Sequence, residues 1–288
     1  IHGNTWWNII IVMIVSAIVV HLYWDMKWKF LAIPIGVPTI LGTAISLILA
    51  FRTNASYDRW WEARKIWGAI VNDSRTLMRQ VIANFNVGEN GKNEIRKLGR
   101  RQIAWTYALA RGLRNQEILP DIKSFLTDKE LSQVKNHANI PNAILLLHEQ
   151  QLKSMHDKSV LDSFQYTYLS DNIHRLTDSM GKCERIKSTV FPTQYSFYIH
   201  FTIMTFVMIL PFGIMEKLGF FAVPIAGLVA FLFLTIEHFA IDLQRPFDNE
   251  PNDTAMNAIC RTIEINILQM LEEENIPQPI EPENGVIM

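Results

Sequence analysis

Ionisable side chains in this chain gather at the ends of apolar runs, and their spacing limits the chemistry they could perform. Glu237, His238 and Asp242 directly follow the uncharged run from Leu218 to Ile236. Offsets of one and five residues cannot turn all three toward one ion from a helix, so they do not read as a metal site. They read as contacts to a neighbouring helix or subunit, although ionisable groups at a membrane boundary also suit a functional role. His200, inside another apolar run, is expected to be a buried, hydrogen-bonded imidazole, with pH sensing as the other use. Asp248, Glu250 and Asp253 are interrupted by Pro251 and Asn252, and calcium needs six to eight oxygens. Asn252 and Asp253 are therefore expected to cap the last helix rather than hold a metal. Cys183 and Cys260 lack metal-ligand spacing and read as core thiols. The chain contains no H-E-x-x-H, G-x-S-x-G or G-x-G-x-x-G, and Gly88 to Lys92 is too short for a phosphate-binding P-loop. No enzyme, catalytic residue, metal or cofactor is expected.

The elements that position these groups divide at the stretch Phe51 to Gly68, FRTNASYDRWWEARKIWG. Before it, Phe30 to Phe51 runs 22 residues without a charged side chain, enough to span a bilayer core as a helix. After it, Arg52, Asp58, Arg59, Glu62, Arg64 and Lys65 arrive within 14 residues. A hydrocarbon interior does not take that load, so a helix leaves the membrane here. Asp58, Arg59, Glu62 and Lys65 lie at helical offsets that allow ion pairs. Trp60, Trp61 and Trp67 are expected to pack this junction.

Four uncharged runs have the length of a membrane helix: Trp6 to Trp24, Phe30 to Phe51, Ser196 to Met215 and Leu218 to Ile236. Short turns at Asp25 to Lys29 and Glu216 to Lys217 make two hairpins with both turns on one side. Near the helix ends, eight Lys or Arg residues lie on the side of the termini against three on the turn side. The positive-inside rule then puts both termini and the central region in the cytoplasm of a protein of the inner (cell) membrane. The chain begins at Ile1 without a methionine, so residues are expected upstream. The run from Trp6 is too long to be the apolar region of a cleaved signal peptide.

The segregation of residue types along the chain is what reveals this, because 49% hydrophobic and 19% charged residues would pass for a soluble protein. A formal net charge of −1 gives no global field for nucleic acid, and no nucleic-acid partner is expected. Between the hairpins the patterning predicts helices over Asn54 to Asn86, Glu94 to Arg114, Leu126 to Val134, Ile144 to Met155 and Val160 to Ser188. A loop is expected at Gly88 to Asn93, a cluster of turn residues. Thr127 and Glu130 stand at capping-box spacing. A last helix is expected over Asn252 to Glu274, with Asn275 to Met288 as tail. The expected fold is all-α: four transmembrane helices in two hairpins with an inserted helical cytosolic domain. Its boundaries are 1–52 for the first hairpin, 53–195 for the cytosolic domain and 196–243 for the second hairpin. A C-terminal helical segment, 244–276, and a tail, 277–288, complete the chain.

The stretch FRTNASYDRWWEARKIWG resembles the signature of the bestrophin family in its bacterial branch, matching R-x-N-x-x-Y-x-R-x-x-E-A-R-x-x-W-G at every fixed position. Pro246 and Phe247 followed by Asn252 and Asp253 are similar to the family's P-F-G-x-x-x-N-D element, with Asp248 where glycine is usual. Gly181 to Ile186 (GKCERI) is a third anchor, so the resemblance covers nearly the whole chain. It implies a homopentamer in a lipid bilayer, with five copies of the helix at 30–52 around a central axis. Thr43, Leu47 and Phe51 fall at i, i+4 and i+8 on one face of that helix. Periodicity alone fits packing against neighbours as well as it fits a pore. The resemblance places the three in a narrow apolar neck, which would dewet and block ions until it widens. Thr43 stands where a large apolar residue is usual, implying a shorter or wetter top. The resemblance also implies a second constriction from the helix after Val160, with Phe164, Tyr168 and Leu169 as candidates. Arg52, Asn54, Tyr57, Asp58, Arg59 and Glu62 would tether pore to cytosol. Only part of the calcium clasp of animal relatives is present at Asp248 to Asp253, so calcium activation is not expected.

The reading is a channel that passively conducts monovalent ions, with a lean to cations because the chain resembles the bacterial branch. A chloride or anion channel of the same architecture is the alternative. A non-conducting scaffold or sensor with a ligand-binding cytosolic domain is the alternative from another class.

Overall fold

The structure, a computed structural model, describes residues 3–85, 88–189 and 192–282. Among the described residues the regular structure is all helical, with no strand. The chain divides into two compact units: Ile1–Arg59 with Val190–Gln244, and Trp60–Thr189 with Arg245–Met288.

The first unit holds α1 (Gly3–Trp24), the beginning of α2 (Gly36–Asn84), α8 (Thr193–Leu218) and α9 (Ala222–Leu243). Thr5–Trp24, Lys29–Asn84 and Gln194–Leu243 are long and apolar enough to cross a membrane, the last containing both α8 and α9. Helix α1 packs chiefly on α9 and α8. Ala222, Ala226, Gly227 and Ala230 make this close approach possible, since a Cβ at Gly227 would lie 2.9 Å from Met13 Cγ. Val12, Val20, Ile45, Ile203 and Val207 fill the core.

Helix boundaries differ from those expected at several places, the last helix spanning Met256–Met270 rather than Asn252 to Glu274, and in the first unit single contacts explain two of them. The second helix begins at Gly36 rather than Phe30: Lys29–Leu31 form a 3-10 turn, and Pro34 disfavours helix at the residue before it. The Ile33 amide instead donates to the Phe212 carbonyl at 3.1 Å. The second hairpin turns at Gly219, not at Glu216 and Lys217, which still belong to α8. Gly219 adopts φ 54°, a left-handed conformation that suits glycine at a helix end.

The second unit holds the rest of α2, α3 (Gly88–Leu113), α4 (Leu119–Ile122), α5 (Asp128–Val134), α6 (Ile140–Asp157), α7 (Ser163–Ser188) and α10 (Met256–Met270). Helix α3 lies at its centre, packed on α4, α6, α7 and α10. Trp67, Trp105, Leu77, Ile103, Leu176 and Ile263 are wholly buried there. Thr127 and Glu130 form the expected capping box, and Asp162 with Gln165 forms another at the start of α7.

Three expectations are corrected here. Gly88 to Asn93 is helical rather than a loop: Gly91 is buried, and packing overrides a propensity penalty of about 1 kcal/mol per glycine. Asn252 and Asp253 do not cap the last helix, whose N-cap is Ala255 without a side-chain bond. Trp61 does not pack into the core: it is 45% exposed, whereas Trp67 is fully enclosed. The expected end of the long helix at Asn86 and the last residues of the tail, 283–288, lie outside the described residues; residues 275–282 are not helical.

Candidate functional site

Two opposite faces of α2 set the site in the first unit. Ile45, Leu49, Arg52 and Ser56 recur at helical spacing and are buried. Thr43, Leu47 and Phe51 share the other face and are exposed, Leu47 at 58% and Phe51 at 65%. The Thr43 hydroxyl donates to the Thr39 carbonyl at 2.9 Å, and Ser46 donates to Gly42 at 2.7 Å. These hydroxyls are spent on their own helix, so Thr43 adds less polarity to its face than its type suggests.

At the end of this segment a buried polar cluster joins α2 to α8 and α9. Arg52, 1% exposed, donates through Nη2 to Ser196 Oγ at 2.9 Å, and its Nη1 lies 3.8 Å from Glu237 Oε1. The other Glu237 oxygen lies 2.9 Å from His200 Nδ1. Gln244 Nε2 donates to Ser56 Oγ at 3.1 Å, and Arg59 Nε donates to the Gln244 carbonyl at 2.7 Å. Of the six junction residues read from the sequence, Arg52 and Arg59 enter this cluster, while Asn54, Tyr57 and Asp58 are exposed. Glu62, in the second unit, pairs with Lys65 at 2.8 Å. Glu237 and His200 meet one another, as contacts between neighbouring helices. Their partnership with Arg52 had no local sequence signal, because the residues lie 37 positions apart and farther.

Of the three constriction candidates on α7, Phe164 and Tyr168 are exposed at 87% and 57%, one helical turn apart. Leu169 is 0% exposed and packs in the core, so it cannot line an open space and leaves the candidate set. In the Pro246 to Thr254 segment Phe247 is buried, and the Thr254 amide donates to the Pro246 carbonyl at 3.1 Å. Asp248, in place of the usual glycine, accepts from Lys187 Nζ at 2.6 Å. Asp253 accepts from the Asn249 amide at 2.6 Å, at a residue with φ 71°. The carboxylate expected as a helix cap is thus used to close this turn.

The second unit also encloses an ionic centre that the sequence did not signal. Arg101, 2% exposed, donates through Nε to Glu130 Oε1 at 2.9 Å and through Nη1 to the Leu147 carbonyl and Gln151 Oε1. Burial alone would raise the Glu130 pKa, but Arg101 and the Thr127 bonds outweigh it and hold the carboxyl below its ordinary value. His148 is wholly enclosed; burial, with Arg101 nearby, pushes its imidazole well below the ordinary value, so it is neutral. Burial pushes the Cys183 and Cys260 thiols up to about 12, which makes both inert as nucleophiles. Among the described residues no group of His, Cys, Asp and Glu is arranged to hold a metal.

Among the described residues the regular structure is all helical, and three stretches are long and apolar enough to cross a membrane, the pattern of a helical membrane protein. Residues 1–269 match the family of bacterial and fungal bestrophin proteins, Bestrophin_2, and the chain belongs to the bestrophin family. A protein of Escherichia coli K12, named voltage-dependent anion channel-forming protein YneE, is 33% identical over 261 residues, covering 91% of this chain and 84% of that one. A Nostoc protein with the same channel-forming description is 32% identical over 243 residues, covering 82% of this chain and 79% of its own. The crystal structure of a bacterial bestrophin homologue from Klebsiella pneumoniae superposes with a TM-score of 0.87 at 26% identity, covering 93% of this chain and 99% of that one. Membership of this family makes the protein a channel-family membrane protein and not an enzyme.

Proposed function

We propose that this protein is an anion-conducting channel, assembled from five copies around a central axis. The lean to monovalent cations read from the sequence is given up, because relatives about a third identical over most of this chain are named anion channel-forming proteins. The observation that carries the reading is the division of α2 into two faces. Ile45 and Leu49 are 3% exposed within the chain, whereas Leu47 and Phe51 stand open on the opposite side. Large apolar side chains on a membrane helix need lipid or another subunit against them, and a ring of such faces forms a neck that dewets.

In this reading Thr43, Leu47 and Phe51 line the neck, and the inner membrane holds the two hairpins with both termini in the cytoplasm. Phe164 and Tyr168 supply the second constriction. Arg52 and Arg59 anchor α2 just beyond its apolar stretch so that the neck face keeps its direction. The test is reversal potential in planar bilayers or liposomes holding purified protein, under opposed sodium and chloride gradients. The reading expects the potential to sit near the chloride equilibrium value; a value near that of sodium overturns the anion assignment.

A further inference from the structure

A groove of about 740 Å³ opens between α3, α5 and α6 in the second unit. That volume lies in the range of small-molecule sites. Its floor is the enclosed network of Arg101, Glu130 and Gln151, in which every Arg101 nitrogen is bonded: Nε and Nη2 to Glu130, and Nη1 to Leu147 and Gln151. Gln151 Nε2 in turn donates to Glu94 Oε2 at 2.7 Å. Such a network is fully committed to itself and holds the three helices in register.

The rim is different. Lys97 from α3, Lys129 from α5 and Lys158 from the end of α6 border the same groove. Among the described residues, none of the three ammonium groups has an ion-pair partner. With Arg101 there are four positive side chains against Glu94 and Glu130, a local charge of +2. In a chain of formal net charge −1 this is a local concentration of positive charge, and a concave surface strengthens its field. Gln133, Gln150 and Ser154 add side-chain donors and acceptors without an intramolecular partner among the described residues, and Met155 and Val160 give one part of the wall an apolar character.

We infer that this groove binds a small phosphorylated metabolite. Three rotatable ammonium groups carried by three elements around one groove suit the oxygens of a tetrahedral phosphate. No guanidinium is left over for planar, bidentate capture of a carboxylate, since Arg101 is occupied. The groove exceeds what a bare phosphate needs, and its apolar wall accommodates an organic portion.

The test is calorimetric binding to the purified full chain in detergent, using AMP, inorganic pyrophosphate and citrate as probes. It is repeated on a Lys97→Gln, Lys129→Gln, Lys158→Gln variant and on Lys129→Gln alone. Because it reads binding and not ion flux, its result stands apart from the conduction reading. The expected result is binding of AMP or pyrophosphate in the wild type, weakened at least tenfold in the triple variant and measurably in the single one. The inference is overturned if neither phosphate probe binds at millimolar concentration, if both variants bind as the wild type does, or if citrate binds more tightly than both phosphates.

Discussion

Nδ1 of His200 on α8 lies 2.9 Å from one carboxylate oxygen of Glu237 on α9, while the other oxygen of Glu237 faces Arg52 on α2. One carboxylate therefore faces both a guanidinium and an imidazole, and the two differ in burial. The Arg52 side chain is 0% exposed and that of His200 is 44% exposed. Glu237→Ala leaves a buried guanidinium without its carboxylate, which costs about 3 to 5 kcal/mol. His200→Ala removes a partner that water can replace and costs about 1 kcal/mol or less. Thermal unfolding of the purified variants in detergent checks the order. Equal midpoints for the two variants would refute the account of this cluster.

His148 makes the second unit sensitive to acid. Its folded-state pKa is depressed, chiefly by burial, below the ordinary 6.5 that applies in the unfolded chain. As pH falls below that value the unfolded state takes up a proton that the folded state refuses. Stability from this group is therefore full above 6.5 and is lost toward lower pH, at up to about 1.4 kcal/mol per pH unit. Unfolding midpoints measured from pH 7.5 to 5 should fall, and His148→Leu should flatten the profile. A wild type and variant with parallel profiles would exclude His148 as the cause.

Two glycines differ in what a methyl group would meet. A Cβ at Gly213 would lie 2.6 Å from Pro38 Cγ, part of a ring that cannot swing aside. A Cβ at Gly99 would lie 2.9 Å from Leu271 Cδ1 and Met78 Cε, the far ends of flexible side chains. Gly213→Ala is expected to destabilise by about 1 to 3 kcal/mol through overpacking. Gly99→Ala should be milder, because the Leu271 and Met78 ends can swing aside, whereas both sites are helical and regain the same helix propensity of about 1 kcal/mol. Unfolding midpoints of the two variants decide it, and a larger loss at Gly99 would reverse the argument.

Much of the fold was legible because length and apolar composition dominate in membrane-type helices, and runs such as Trp6 to Trp24 need no tertiary information. The boundaries that moved were decided by single contacts. Pro34 and the Ile33 to Phe212 hydrogen bond delay α2 to Gly36, and Gly219 rather than the charged Glu216 and Lys217 makes the turn. Gly88 to Asn93 reads as a turn by composition, yet burial of Gly91 draws it into α3. For the site, the two faces of α2 follow from helical periodicity and the family signature. The pairing of Glu237 with both His200 and Arg52 does not, because it depends on how three helices pack. The Arg101 centre was hidden for the same reason: Glu130 announced itself as a capping residue, and its second role needs Arg101, 29 positions away.

The central claim is that the exposed α2 face forms the rate-limiting neck. It is tested most directly by chloride efflux from liposomes holding equal amounts of wild type and a Leu47→Ala, Phe51→Ala variant. Both side chains are exposed in the chain, so their truncation should leave its folding intact. The account predicts that the wild type releases chloride and the variant releases it several times faster, because a wider neck no longer dewets. Equal efflux from both proteins would show that this face does not limit ion passage.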